Sequence, residues 1–224
     1  MKKKSIQNIC VIGVGRFGSA IIRQLLNTDV SLMVVDKDEK NLKPFSDTVD
    51  KLVIADAADP KTLKTLSITD MDIVVVATND NIEIVAALFE LKVTSIIARA
   101  RSSRHANVLK QIGVNVIIRP EEEAGVRTAL LAANPYFAKY SLDLQELGDG
   151  FVMGTTVLTS PKFINKTLKE CKFVDKGVSV VLIKRASESI LPNGHSILKE
   201  GDFITILGKI VDVTHVFGLL NNVD

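Results

Sequence analysis

The stretch Asn8-Ile9-Cys10-Val11-Ile12-Gly13-Val14-Gly15-Arg16-Phe17-Gly18 decides the reading of the first half of the chain. Asn8–Ile12 is an apolar run of strand length, and from Arg16 to Asn27 the apolar residues return at helical spacing. A GxGxxG between a strand and a helix is a phosphate-binding turn. Gly13 permits the tight turn, Gly15 lets the backbone approach a phosphate, and Gly18 lets helix and strand pack closely. Backbone N–H groups at the helix start then meet the anion. Asp36 ends the next apolar strand, Ser31–Asp36. It lies close to the ~20-residue offset at which an acid accepts hydrogen bonds from ribose hydroxyls. A carboxylate there repels a 2′-phosphate, so NADP is disfavoured. Loop and acid together point to an adenine nucleotide.

Outward from this motif, strands alternate with helices. Strands are predicted at Lys51–Ala55, Asp72–Ala77, Ser95–Ala100 and Val116–Ile118. Helices are predicted near Glu39–Ser46, after Pro60, over Ile82–Phe89, over Ser103–Ile112 and near Glu121–Ala133. The strand cores ICVIG, LMVVD, DIVVVA and SIIA are nearly all apolar, as in a parallel sheet covered by helices on both faces. The expected fold is α/β: a doubly wound, Rossmann-like parallel sheet followed by a smaller α+β domain. The pattern changes after Asn134-Pro135. We expect a nucleotide-binding domain over residues 1–135, a linker over 136–148 and a second domain over 149–224. In the second domain, strands are predicted at Phe151–Leu158, Val178–Lys184 and Phe203–Leu207, with short helices near Asn165–Cys171 and Val211–Leu219.

The composition narrows the function. Lys+Arg 28 against Asp+Glu 26 leaves no field that would draw nucleic acid, and Trp is absent. The basic Lys2–Lys4 run precedes an apolar run too short for a signal peptide or a membrane span, which points to a cytosolic protein. Cys10 and Cys171 form no metal-type or redox spacing. Cys10, inside an apolar strand, reads as a buried small hydrophobe.

Arg16 bears on which nucleotide is bound. A cation in a first helical turn opposes the helix dipole, and becomes favourable with a highly charged anion in front of it, such as the terminal phosphate of ATP. An arginine pointing to solvent is the plainer reading. A dehydrogenase would need a proton donor near a nicotinamide. The first domain offers only His105, in a polar helix where a surface role is expected. No Walker loop and no Ser-His-Asp set can be assembled. The pattern is that of a nucleotide sensor. The alternatives are an NAD(H)-dependent oxidoreductase and a nucleotide-binding module acting on a soluble partner.

The stretches NICVIGVGRFG, VVDKDE, VIADAAD, IVVVATNDN and IGVNVIIRPEEEAG, with GVSVVLIKR and ILPNGHSILKEGDFITILG near the C-terminus, resemble the RCK (KTN) family. More narrowly, they are similar to the cytosolic gating subunits of Ktr/Trk-type potassium transport systems, and the resemblance covers nearly the whole chain. It implies a non-enzymatic protein that binds ATP or ADP in the Rossmann cleft and sits on the inner face of the membrane through a potassium-pore subunit. It also implies homodimers assembled into an octameric ring that changes shape between the two nucleotides. The implied site holds Gly13, Gly15, Phe17 and Gly18 at the phosphate loop and Asp36 with Lys37 at the ribose. Asp56 and Ala57 fall at the adenine edge. Ala77, Thr78, Asn79 and Arg99 fall along the cleft rim. Arg16 matches an arginine that reaches a terminal phosphate, including one bound to a neighbouring subunit. Glu121 matches a carboxylate that binds a divalent cation or Na⁺ near the dimer interface. In members whose C-terminal lobe binds cyclic di-AMP, an Arg precedes the GVSVV-type strand. Cys171–Lys176 here holds none, which counts against that ligand without removing it.

Overall fold

The computed structural model describes residues 7–133, 139, 141 and 143–222. The chain divides into two units, Met1–Glu122 and Glu123–Asp224. The Lys2–Lys4 run and most of the segment between Asn134 and Leu142 lie outside the described residues.

The first unit alternates β1 (Gln7–Ile12), α1 (Arg16–Leu25), β2 (Val30–Asp36), α2 (Glu39–Leu42), β3 (Lys51–Ile54), α3 (Pro60–Thr65), β4 (Ile73–Val76), α4 (Ile82–Glu90), β5 (Ile96–Arg99), α5 (Ser103–Ile112) and β6 (Val116–Ile118). Its six strands form one parallel sheet in the order β3-β2-β1-β4-β5-β6. Successive strand residues feed opposite faces. Cys10, Ile12, Met33, Val35, Val74 and Val76 enter one core, while Ile9, Val11, Leu32, Val34 and Val75 enter the other. Two covered faces explain the unbroken apolar runs. Each such side chain, fully buried, contributes about 1.5–3 kcal/mol. Burial pushes the Cys10 thiol up to about 12, so it stays protonated and inert at neutral pH.

The strand order reverses between β1 and β4, the position at which open α/β sheets bind ligands. Asp59 caps α3 through the Lys61 and Thr62 N–H groups, and Pro60 opens that helix. The helix expected over Glu39–Ser46 is shorter than predicted. Pro44 lacks the N–H that an α-turn needs, and the chain tightens into a 3₁₀ turn at Lys43–Phe45.

The helix α6 (Pro120–Ala133) carries the chain across the boundary between the units. The second unit holds β7 (Asp143–Gly148), β8 (Phe151–Val157), α7 (Leu168–Cys171), β9 (Val178–Arg185), β10 (Glu188–Ile190), β11 (Phe203–Lys209) and α8 (Ile210–Leu220). Its sheet is antiparallel, in the order β10-β9-β11-β8-β7. Residues 143–148, taken as linker, are a strand that pairs with β8 and buries Leu144. It is an edge strand with one buried residue, so its apolar alternation is faint. Strand β10, at the opposite edge, buries no residue fully and carries no alternation to mark it. The Thr167 hydroxyl and the Glu170 carboxylate close a capping box on α7.

Candidate functional site

At the switch point the first unit opens a cleft of about 970 Å³. Its floor is the turn after β1. Gly13 has φ +94, and a Cβ there would lie 2.4 Å from Thr78 Cγ2. A Cβ on Gly18 would lie 1.9 Å from the Gly13 carbonyl oxygen. Both glycines are therefore required by packing. Gly15 is different: a Cβ there would meet nothing within 4 Å. Its freedom matters only if something else approaches. Gly15 is also the N-cap of α1, with no side-chain cap and no acidic residue in the first turn. The first N–H groups of the helix are left for an anion.

Asp36, at the C-terminal end of β2, lines the cleft and is 9% exposed. Its Oδ2 accepts from the Val14 N–H at 2.6 Å. Its Oδ1 accepts from the Asp38 N–H at 2.9 Å and from Asn41 Nδ2 at 3.2 Å. A carboxylate has about four acceptor positions, so about one is free for a ribose hydroxyl. Asp36 braces the glycine turn as well as lining the cleft. Lys37, Asp56, Ala57, Ala77, Thr78, Asn79 and Arg99 also line the cleft, as the sequence reading expected.

Three residues of that reading do not line it. Arg16 is exposed on the first turn of α1, Phe17 lies under the Arg99 guanidinium at 5.7 Å, and Gly18 is packed against Gly13. Glu121 stands apart too. Its carboxylate accepts from Arg99 Nη2, and no group of three His, Cys, Asp or Glu side chains suited to a metal occurs among the described residues. One carboxylate already neutralised by a guanidinium is a poor cation site, so within a single chain the residues present do not fit a bound cation.

The far wall was largely missed. Asn81, Arg101, Ser102, Arg104 and His105 line it. Asn81 is fully buried, and its Nδ2 donates to the Arg99 carbonyl at 2.7 Å and the Thr78 carbonyl at 3.2 Å. Its Oδ1 has no partner. His105, expected at the surface, is partly buried, with Nδ1 accepting from the Arg101 N–H and Nε2 buried without a partner. Burial first, then the Arg101 charge, lowers its pKa against the opposing pull of Asp80. The basic run Arg99–His105 after β5 was a legible signal for this wall; Asn81 left none.

A parallel sheet with a glycine turn at its switch point, uncapped helical amides and a carboxylate in the cleft is the architecture of a nucleotide-binding Rossmann domain. Residues 9–120 match the TrkA-N domain and residues 152–221 the TrkA-C domain. The chain is 30% identical over 220 residues to Ktr system potassium uptake protein C of Bacillus subtilis (strain 168), covering 96% of each chain. It is 31% identical over 214 residues to Ktr system potassium uptake protein A of Vibrio alginolyticus, covering 92% of this chain and 94% of that one. Its fold is shared with the GsuK channel (TM-score 0.64, 17% identity), covering 98% of this chain and 40% of the channel. It is also similar to Shewanella denitrificans Kef CTD in its AMP-bound form (TM-score 0.50, 25% identity), covering 57% of this chain and 79% of that one. The chain belongs to the TrkA-N/TrkA-C family of Ktr- and Trk-type potassium uptake proteins. It is a non-enzymatic member, and the oxidoreductase alternative is set aside. Among the described residues, no helix is long and apolar enough to cross a membrane.

Proposed function

We propose that this chain is the nucleotide-sensing subunit that gates a membrane potassium channel or transporter. ATP and ADP occupy the cleft in turn, and their exchange shifts a ring of dimers lying on the inner face of the membrane against the pore subunit. The observation that carries this reading is the turn at Gly13–Gly15, open above Gly15 and backed by the uncapped start of α1 and by Asp36. The AMP-bound form of the related Kef CTD supports an adenosine phosphate there. For exchange to drive gating, ATP must favour one ring conformation and ADP the other, because a ligand with equal affinity for both shifts nothing. Potassium flux through the co-purified pore subunit tests the reading. Flux that differs between ATP and ADP is expected; flux indifferent to both would refute it.

Two variants probe the loop. Gly15 has φ −71, which any residue adopts, and open space above it. Gly15→Ala should therefore leave stability within about 0.5 kcal/mol of wild type. A methyl group where a phosphate approaches should lower ADP affinity by about tenfold. Thermal melts and titrations on the same sample check both.

Arg16 is exposed and does not line the cleft of its own chain, which suits a role at a neighbour's terminal phosphate. Arg16→Ala should weaken ATP about tenfold in the assembled protein, the lower end of a charge-assisted hydrogen bond. ADP, which can still use the loop amides, should lose much less. Loss of a cation from a helix start slightly stabilises α1, so helix electrostatics cannot explain weaker binding. Equal losses for the two nucleotides would remove Arg16 from this role.

A further inference from the structure

Arg99 stands between two anions. Its backbone is pinned: the carbonyl accepts from Asn81 Nδ2 at 2.7 Å, and the next residue, Ala100, donates to the Ile118 carbonyl at 2.8 Å. Only the side chain can change partner. That side chain lines the cleft, lies over Phe17 just beyond the phosphate turn, and is 17% exposed. A guanidinium carries five N–H donors. Here Nη2 donates to Glu121, and Nε is buried with no acceptor. The arginine is desolvated and incompletely satisfied, at the edge of a cavity whose floor is built for phosphate. Glu121, by contrast, is 66% exposed, so water can solvate its carboxylate if the arginine leaves.

We propose that Glu121 competes with nucleotide phosphates for Arg99, and that this competition grades the cleft's affinity by phosphate number. The inference rests on the reading of the cleft as an adenosine-phosphate site. A phosphate oxygen can satisfy the buried Nε and take Nη2 as well, in the paired geometry that favours arginine at phosphates. A monophosphate held at the loop brings little charge toward Arg99. A diphosphate or triphosphate brings more, and draws the guanidinium from Glu121. Because Glu121 lies in the first turn of α6, release of its carboxylate reports the phosphate count to the helix that leaves the first unit.

The test is a double-mutant cycle with AMP, ADP and ATP, titrated calorimetrically onto the full-length protein in EDTA. Glu121→Gln, isosteric and exposed, removes the competitor. It should tighten ATP and ADP by about two- to fivefold and leave AMP nearly unchanged, the range for an exposed ion pair. Arg99→Ala should weaken ATP most and AMP least. In the Arg99→Ala background, Glu121→Gln should change nothing. A tightening that persists there would mean a general field effect and would overturn the proposal. Equal affinities for wild type and Glu121→Gln would overturn it too, while leaving the nucleotide site intact. Absence of binding by any of the three nucleotides to wild type would overturn the reading of the cleft and this inference together.

Discussion

Asp36→Ala should lower the affinity of the protein for ADP about a hundredfold. Two losses combine. The ribose loses a charged acceptor, which contributes about 1.5–3 kcal/mol, and every 1.4 kcal/mol is a factor of ten. The phosphate turn loses its brace, because Asp36 is the carboxylate that holds the Val14 N–H. Val14 is 4% exposed, so its amide is left buried without a partner, at a cost of about 1–3 kcal/mol to the fold. Affinity and melting temperature should therefore fall together. Asn41→Ala separates the two effects: it removes one donor to Asp36 but keeps the charge and the Val14 bond. That variant should stay within a few-fold of wild type. Unchanged ADP affinity in Asp36→Ala would remove this carboxylate from the site.

The second large effect belongs to the second unit. Asp202 is fully buried, and Arg185 binds it through Nε and Nη2, both at 2.7 Å. The Lys199 N–H adds a third bond at 2.8 Å. Removing one partner of such a pair strands the others. Asp202→Ala should cost about 3 kcal/mol, the low end for a buried pair, since Arg185 is 29% exposed and can rehydrate. The pair also gives the unit an acid limit. Burial alone would raise the Asp202 pKa, but the Arg185 bonds, the Lys199 amide and the nearby cations outweigh it and hold the carboxyl below its ordinary value. A depressed folded pKa stabilises above the unfolded value, about 3.9 for aspartate, and that contribution is lost as pH falls through the folded value. Asp202→Asn should flatten the fall in melting temperature below about pH 4 relative to wild type. An unaltered acid profile would show that other carboxylates set the limit.

Much of the nucleotide domain was legible because its signals are local. Gly13, Gly15, Gly18 and Asp36 sit at fixed offsets from two apolar strands, and the offsets follow from the geometry of the turn. The double-faced burial of Cys10, Ile12, Val11 and Ile9 likewise shows as an unbroken apolar run. What could not be read depends on residues brought together from afar. Asn81 joins the Thr78 and Arg99 carbonyls, and Arg99 reaches Glu121 on another element. Nothing in the spacing of those residues announces contact. The cation at Glu121 came from the family resemblance alone, and the Arg99 partner of that carboxylate lies 22 positions away, where no local pattern marks it. Edge strands fail for a different reason. In β7 only Leu144 is buried, so period-two alternation has almost nothing to mark it.

If the cleft at the β1–β4 switch point holds an adenosine phosphate, nucleotide binding by the isolated chain must follow the phosphate and ribose contacts proposed above. Calorimetric titration of nucleotide-free protein with ADP, ATP and NADH tests it most directly. Saturable binding of ADP and ATP at one site per chain is expected, weakened about a hundredfold for ADP in Asp36→Ala. Binding of NADH with no response to ADP or ATP, or no binding of any of the three, would contradict it.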